Sequence, residues 1–459
     1  MATDIGAPAT AEPVQSTRRE RIGWYFYDWA NSGFYTTVIS VFLGPYLTAI
    51  AKNAVGCGDE GVSCDGRFLH PFGIPVAPGS YFFYMTVVAT LAQVIVLPVA
   101  GAVADRSSHK KELLAFFAYI GSGATICLLF LTGDRWVLGG VLFLIANLGF
   151  GASIVVYNSF LPQLAGPNDR DKVSSIGWAI GYIGGGLLLG LNLVALLIGG
   201  EENRGMIARW SLVSAGVWWA AFTTVPLLLL RNRPAVAGEH RGGGVLSDGF
   251  RQLGRTLRHL RDYKLTLLFL VAFLIYNDGV QTVIIASSTF ASEELNLTEE
   301  VQTQTILLVQ FVAFGGALLL GRLAKTYGAW KILLSSLLVW IVVVVLAYFL
   351  PEGEALWFMG LGLLLGIVLG GSQALSRSLF SQLIPHGKEG EYFGLYEISD
   401  KGTSWLGPLL FGLAYQLTGS YRVAIFSVIT FFVVGFIMLL SVPMRRAIVA
   451  AGNTPPDVL

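Results

Sequence analysis

Residues Arg21 to Ile50 read RIGWYFYDWANSGFYTTVISVFLGPYLTAI. At ~1.5 Å of rise per residue, a helix of this length exceeds the ~30 Å apolar core of a bilayer. Inside this apolar and aromatic run sits a carboxylate, Asp28. Asp28, Asn31, Ser32 and Tyr35 are spaced i, i+3, i+4, i+7, so a helix places them on one face. A polar stripe on a membrane helix turns away from lipid, towards protein or a water-filled cavity. The stretch is therefore read as a first crossing and as the first candidate wall of a substrate path.

The rest of the chain extends this reading. Of its 459 residues 54% are hydrophobic and 13% charged, with mean hydropathy +0.65. Soluble domains carry about 25% charged residues, so this is an all-α polytopic membrane protein. Twelve crossings are expected, at 22–50, 80–104, 112–132, 137–159, 175–199, 209–230, 265–290, 302–324, 331–350, 355–379, 393–418 and 421–443. The domain plan is a disordered tail 1–20, a six-helix bundle 21–230, a polar linker 231–264, a second six-helix bundle 265–443 and a tail 444–459. The first apolar run lacks a small-residue cleavage site and is expected to stay as an anchor.

With the N-terminus inside, 22 of the 30 Lys and Arg fall on the cytoplasmic side and six on the other. The positive-inside rule then places both termini in the cytoplasm, the chain lying in a cell membrane. In the linker, Leu246, Phe250, Leu253, Leu257 and Leu260 recur at helical spacing with Arg251, Arg255, Arg258 and Arg261 beside them. This predicts an amphipathic helix on the inner leaflet, tying the two halves together. Cys57 and Cys64, in the loop CGDEGVSC, can pair if that loop faces an oxidising compartment.

The halves repeat. Gly101–Lys111 after the second crossing matches Gly321–Lys331 after the eighth, and Pro162-Gln163-Leu164 matches Ser381-Gln382-Leu383. Asn31-Ser32-Gly33 matches Asn277-Asp278-Gly279. Two parallel six-helix repeats bind their ligand near the midplane and rock to alternate access.

Two sets of residues carry a family resemblance. Gly101, Asp105, Arg106, Lys110 and Lys111 resemble the signature loop of the major facilitator superfamily, with Ser108 where that family usually has Gly. Tyr27-Asp28-Trp29-Ala30-Asn31-Ser32, and Phe393-Gly394-Leu395-Tyr396 followed by Lys401 and Gly407-Pro408, resemble its vacuole-effluxer-like branch. The best-known members of that branch are fungal autophagy-related exporters of vacuolar amino acids. The resemblance implies a secondary transporter whose crossings one, four, five, seven, ten and eleven line the cavity.

The polar residues fall on those crossings. Candidate substrate contacts are Asn31, Tyr35, Asn147, Asn158, Trp178, Tyr182, Asn277, Gln281 and Gln373. Asp28, Asp278, Arg377, Glu397 and Lys401 form a candidate charge network or coupling set, and Gly101, Asp105 and Arg106 a gating loop. Glu397 precedes Lys401 by four, the favourable order for a helical ion pair. Asp278 lies near mid-membrane with no local partner and suits proton coupling.

All five histidines lie in expected loops, which argues against an intramembrane proton relay or His-metal site. No Gly-x4-Gly-Lys-Ser/Thr loop supports an ATP-driven pump. No nucleophile–base pair marks an enzyme, and no cofactor, metal or nucleic acid is implied. The expected partners are a small-molecule substrate and the bilayer, with the chain a monomer. The function read is secondary transport of a small polar or zwitterionic solute, amino-acid export first, by alternating access. Efflux of amphipathic or aromatic compounds and a non-transporting membrane sensor are the alternatives.

Overall fold

The computed structural model describes residues 16–58, 62–64, 66–234, 263–401 and 406–459, without the side chains of 201, 299, 300, 401 and 416. Eleven helices among them are long and apolar enough to cross a bilayer. In chain order they are α1 (Arg18–Ala54), α2 (Pro78–Arg106), α3 (Lys110–Phe130), α4 (Trp136–Leu164), α5 (Arg170–Gly199), α6 (Arg204–Leu229), α7 (Lys264–Glu294), α8 (Val301–Tyr327), α9 (Ala329–Tyr348) and α10 (Ala355–Gln382), with Tyr421–Leu440 as the last. Before that last helix lie α11 (Glu389–Lys401) and α12 (Leu406–Thr418), on the segment expected as the crossing 393–418, of which residues 402–405 are outside the described ones. The helix Tyr421–Leu440 is α13, and a short α14 (Met444–Ala450) follows. The amphipathic helix expected at 246–260 lies outside the described residues.

Helix α1 departs from expectation at two points. It begins within the expected 1–20 tail, at Arg18, because Thr17 and Glu20 form a capping box: the Thr17 hydroxyl accepts from Glu20 N–H and the Glu20 carboxylate accepts from Thr17 N–H. From Phe34 to Phe42 it widens to π-helical winding. Side chains there take up the loosened backbone. Thr36 Oγ1 donates to Ser32 and Gly185 carbonyls, and Ser40 Oγ to the Tyr35 carbonyl. Asp28 is buried and Tyr35 is 38% exposed, and both act electrostatically on Tyr182 of α5.

Apolar packing forms two large clusters. One is built on residues from Trp24 to Leu230, the other on residues from Phe269 to Ile448. Each closes around aromatic wedges. Trp219 fills the first against Phe34 and Phe150, and Trp340 stacks on Phe432 in the second, 5.2 Å apart.

One end of the bundle, the termini end, gathers residues 16–17 and 451–459 with the 107–109, 165–169 and 383–388 loops. Asn168 Nδ2 donates to Asp457 Oδ2 there, and Asn453 Nδ2 donates to the carbonyls of Gln382 and Ile384. The residues expected as a tail from 444 thus form α14 and a strap across this end. At the opposite end Cys57 and Cys64 are joined by a disulfide, and Arg422 pairs with Glu294 at 2.8 Å.

Candidate functional site

The polar groups of the membrane interior fall into two layers. Nearer the termini end, Arg377 of α10 reaches from the second half into the first. Its Nη2 lies 3.3 Å from Asp28 Oδ2 of α1. Its Nε and Nη2 donate to the Ser174 hydroxyl and carbonyl of α5, both at 2.9 Å, and Nη1 donates to Asn158 Oδ1 of α4 at 3.4 Å. Tyr157 donates its hydroxyl to Asp28 Oδ2 at 2.6 Å. The guanidinium lies 4.8 Å from the Trp24 ring centre and 5.3 Å from that of Trp178.

A guanidinium out of water is costly unless its donors and charge are matched. Here a carboxylate, a hydroxyl, two carbonyl oxygens and aromatic faces match it. Asn158 extends the chain of contacts, donating from Nδ2 to Glu397 Oε1 of α11 at 2.9 Å. Asp28, Arg377, Asn158 and Glu397 thus span four helices and both halves. The Lys401 side chain lies outside the described ones, so the expected Glu397–Lys401 pair is not described.

The second layer lies deeper. Asn277 of α7 donates to Asp400 Oδ1 of α11 at 2.8 Å, and Gln373 of α10 donates to Asn277 Oδ1 at 2.8 Å. Tyr35 lies near Gln281, and Asp400 acts electrostatically on Tyr35, Tyr182 and Tyr276. Trp178 and Tyr182 pack 5.7 Å apart. Among the described residues the buried Trp178 Nε1 has no hydrogen-bond partner. The same holds for both carboxylate oxygens of Asp278, which is only 2% exposed. The Gly407 amide acts on Asp278 from outside hydrogen-bond geometry.

Two candidates turn elsewhere. Asn147 accepts from Gln93 of α2, at 2.8 Å, within the first half. Asn31 spends its amide on the Tyr27 carbonyl one turn back. Four residues escaped the reading of the sequence. Trp24 and Tyr157 look like ordinary apolar filling. Ser174 fell one residue before the expected start of its crossing. Asp400 was passed over because it sits between Glu397 and Lys401, which read as an i, i+4 pair.

The loop candidates lie at the termini end. Asp105, at the end of α2, accepts from Gly390 N–H at 2.7 Å and Glu391 N–H at 2.9 Å. These are first-turn amides of α11, so the carboxylate also meets the positive end of that helix dipole. Lys110 Nζ is 3.5 Å from Asp105 Oδ1. Gly101 abuts the Gly390 backbone with no room for a side chain. Arg106 is exposed on the same loop.

Together, Asp28–Arg377, Asn158–Glu397 and Asp105–α11 close the termini end across both halves. The arrangement can seal one end of a path while leaving unspent polar groups beyond the seal.

Comparison with known proteins identifies the family and the fold. The family described as "Vacuole effluxer Atg22 like" matches residues 16–452. An uncharacterized MFS-type transporter, YxiO, of Bacillus subtilis (strain 168) is 29% identical, covering 93% of this chain and 95% of its own. Autophagy-related protein 22-1 of Penicillium rubens is 26% identical, over 93% and 90%. Among solved structures, the MFS proton:xylose symporter XylE superposes with TM-score 0.66 at 11% identity, over 95% and 97% of the two chains. The MFS transporter FucP in the outward conformation gives 0.63 at 14%, over 92% and 97%. The fold is that of the major facilitator superfamily, and the relatives are transporters, not enzymes.

Proposed function

Since the chain belongs to the Atg22-like vacuole effluxer family and is a multi-pass membrane transporter, we propose that it exports a small zwitterionic or polar solute, an amino acid first, by alternating access. The observation that carries this reading is the contrast between the two polar layers. The Asp28–Arg377–Asn158–Glu397 layer is saturated and joins the halves, which suits a gate. The layer around Tyr35, Gln281, Asn277, Gln373 and Asp400 holds groups of both hydrogen-bonding senses, with the unspent Trp178 indole N–H beside it.

In this reading Asp400 faces the ammonium of the solute, and Tyr35, Gln281 and Trp178 take its neutral polar atoms. Release towards the termini end requires Arg377 to leave Asp28. Asp278, buried with both oxygens unspent, is the coupling carboxylate: protonated it is at ease in its apolar site, and ionised it is not. The cytoplasmic placement of the termini, in a cell membrane, draws support from the charge bias and from the Cys57–Cys64 disulfide at the opposite end.

The test is flux of labelled amino acids in proteoliposomes across an imposed pH gradient. Asp278→Asn should abolish the gradient's effect, and unchanged pH-dependence removes Asp278 as the coupling site. Asp400→Asn should raise the half-saturating amino-acid concentration about tenfold or more, the loss of one charge-assisted contact. Binding without flux would favour a sensor. A second reading, efflux of amphipathic aromatic compounds, rests on the Trp178–Tyr182 pair and the exposed Tyr35 ring. A thermal-shift screen containing both solute classes separates the two.

A further inference from the structure

At the termini end, well away from the layers between the halves, α1, α3 and α6 border an open surface pocket of about 660 Å³. Arg19, His109, Lys111 and Arg231 line it, with Glu112 as its one acid. The nearby acids are already engaged. Glu112 Oε2 accepts from Asn232 Nδ2 at 2.6 Å, and Asn232 Oδ1 accepts from the Lys111 backbone N–H at 3.1 Å. Glu20 is held by Thr17 N–H at 2.8 Å and by Arg233 at 3.1 Å. Arg19, Lys111 and Arg231 form no ion pair among the described residues. The pocket therefore carries an excess of cationic donors suited to a phosphate group.

Its rim differs in character. Leu228, near the end of α6, lines the pocket and is 79% exposed. A free phosphate would leave that surface idle; an acyl chain would cover it. Basic pockets at the ends of membrane helices, with apolar surface running towards the bilayer, have the shape of an anionic lipid. We propose that this pocket binds the headgroup of an anionic phospholipid, its phosphate held by Arg19, Lys111 and Arg231 and an acyl chain laid against Leu228. The proposal is independent of which solute crosses the membrane.

The test uses the purified full chain with phosphatidylglycerol, phosphatidylcholine and inorganic phosphate as separate probes, read by native mass spectrometry. Wild type should retain phosphatidylglycerol in preference to phosphatidylcholine. The triple variant Arg19→Gln, Lys111→Gln, Arg231→Gln should lose affinity on the order of a hundredfold. The charge-keeping variant Arg19→Lys, Lys111→Arg, Arg231→Lys should hold it within about threefold, since three positive charges remain. A photoactivatable phosphatidylglycerol on wild type, needing no variant to fold, should cross-link to peptides containing 109–112 and 228–232. Undiminished retention by the triple variant, equal retention of phosphatidylcholine, competition by millimolar inorganic phosphate, or cross-links confined to other helices would each overturn the proposal.

Discussion

Two seams join the six-helix halves, α2 against α11 and α5 against α8, and they close by different chemistry. Along the α2–α11 seam Gly101 meets Gly390, and Leu97 and Pro98 meet Gly394, backbone against backbone. A carboxylate, Asp105, fastens its end to two helix amides. The α5–α8 seam packs side chains against glycines. Gly321 meets Ser175, Gly186 meets Gln310 and Phe311, and Gly190 meets Leu307, a span of ~22 Å along α5. At the repeat position of Asp105 it has Lys325, which is exposed. The first seam is a polar latch and the second a packed slide. A latch can be released at its end, while Gly186 and Gly190 of α5 meet side chains that can shift past them. We propose that opening begins at α2–α11, with α5–α8 as the pivot.

The largest expected effect falls on the floor beneath both seams. Arg377→Met leaves Asp28 buried beside Tyr157 without its cation and should cost ~3–5 kcal/mol of the closed form. Spin-label distances between the halves at the termini end would report it. Adding Asp28→Asn should recover part of the loss, and strictly additive losses would sink the pairing. Next, Asp105→Asn weakens charge-assisted bonds worth ~1.5–3 kcal/mol each. It should expose cysteines placed on the facing sides of α2 and α11 to a thiol reagent, while α5–α8 stays protected. Equal exposure of both seams would remove the latch-and-pivot distinction.

Gly101→Ala should cost ~1–3 kcal/mol of closure, because its methyl meets the Gly390 backbone. Gly321→Ala should cost a similar amount, because there the methyl meets both Oγ and Cβ of Ser175, and rotation of the hydroxyl does not move Cβ. Melting temperatures of the two variants, compared in one detergent, check the match. The smallest effect is expected for Lys325→Asp. An acid offered to the start of α5 should favour closure by ~0.3–1 kcal/mol, visible as a modest shift in the same spin-label distances.

The fold was legible because bilayer crossing imposes length and hydropathy on each helix separately. The ionisable side chains were legible for a related reason: Asp28, Arg377 and Glu397 stand out in apolar runs. Their partners were not. Trp24 and Tyr157 resemble the apolar filling around them, and only docking of the halves brings them to a guanidinium some 220 residues or more away in the chain. Asp400 was hidden by its neighbours, because the i, i+4 rule joined Glu397 to Lys401 across it. The widening of α1 was hidden too, since Phe34–Phe42 contains neither proline nor glycine to mark a break.

That widening has a geometric consequence. A residue added to or removed from a helix turns everything beyond it by ~100°. The π-helical stretch therefore works as a swivel joint within one continuous helix. Below it, Arg18–Gly33 is set by Asp28 and the docking of the halves. Above it, Leu43–Ala54 is set by its own neighbours, through contacts such as Tyr46 Oη to the Leu131 carbonyl. Shortening Phe34–Phe42 by one residue would leave the lower bearing in place and turn the upper shaft by about a quarter revolution, carrying Tyr46 off its carbonyl.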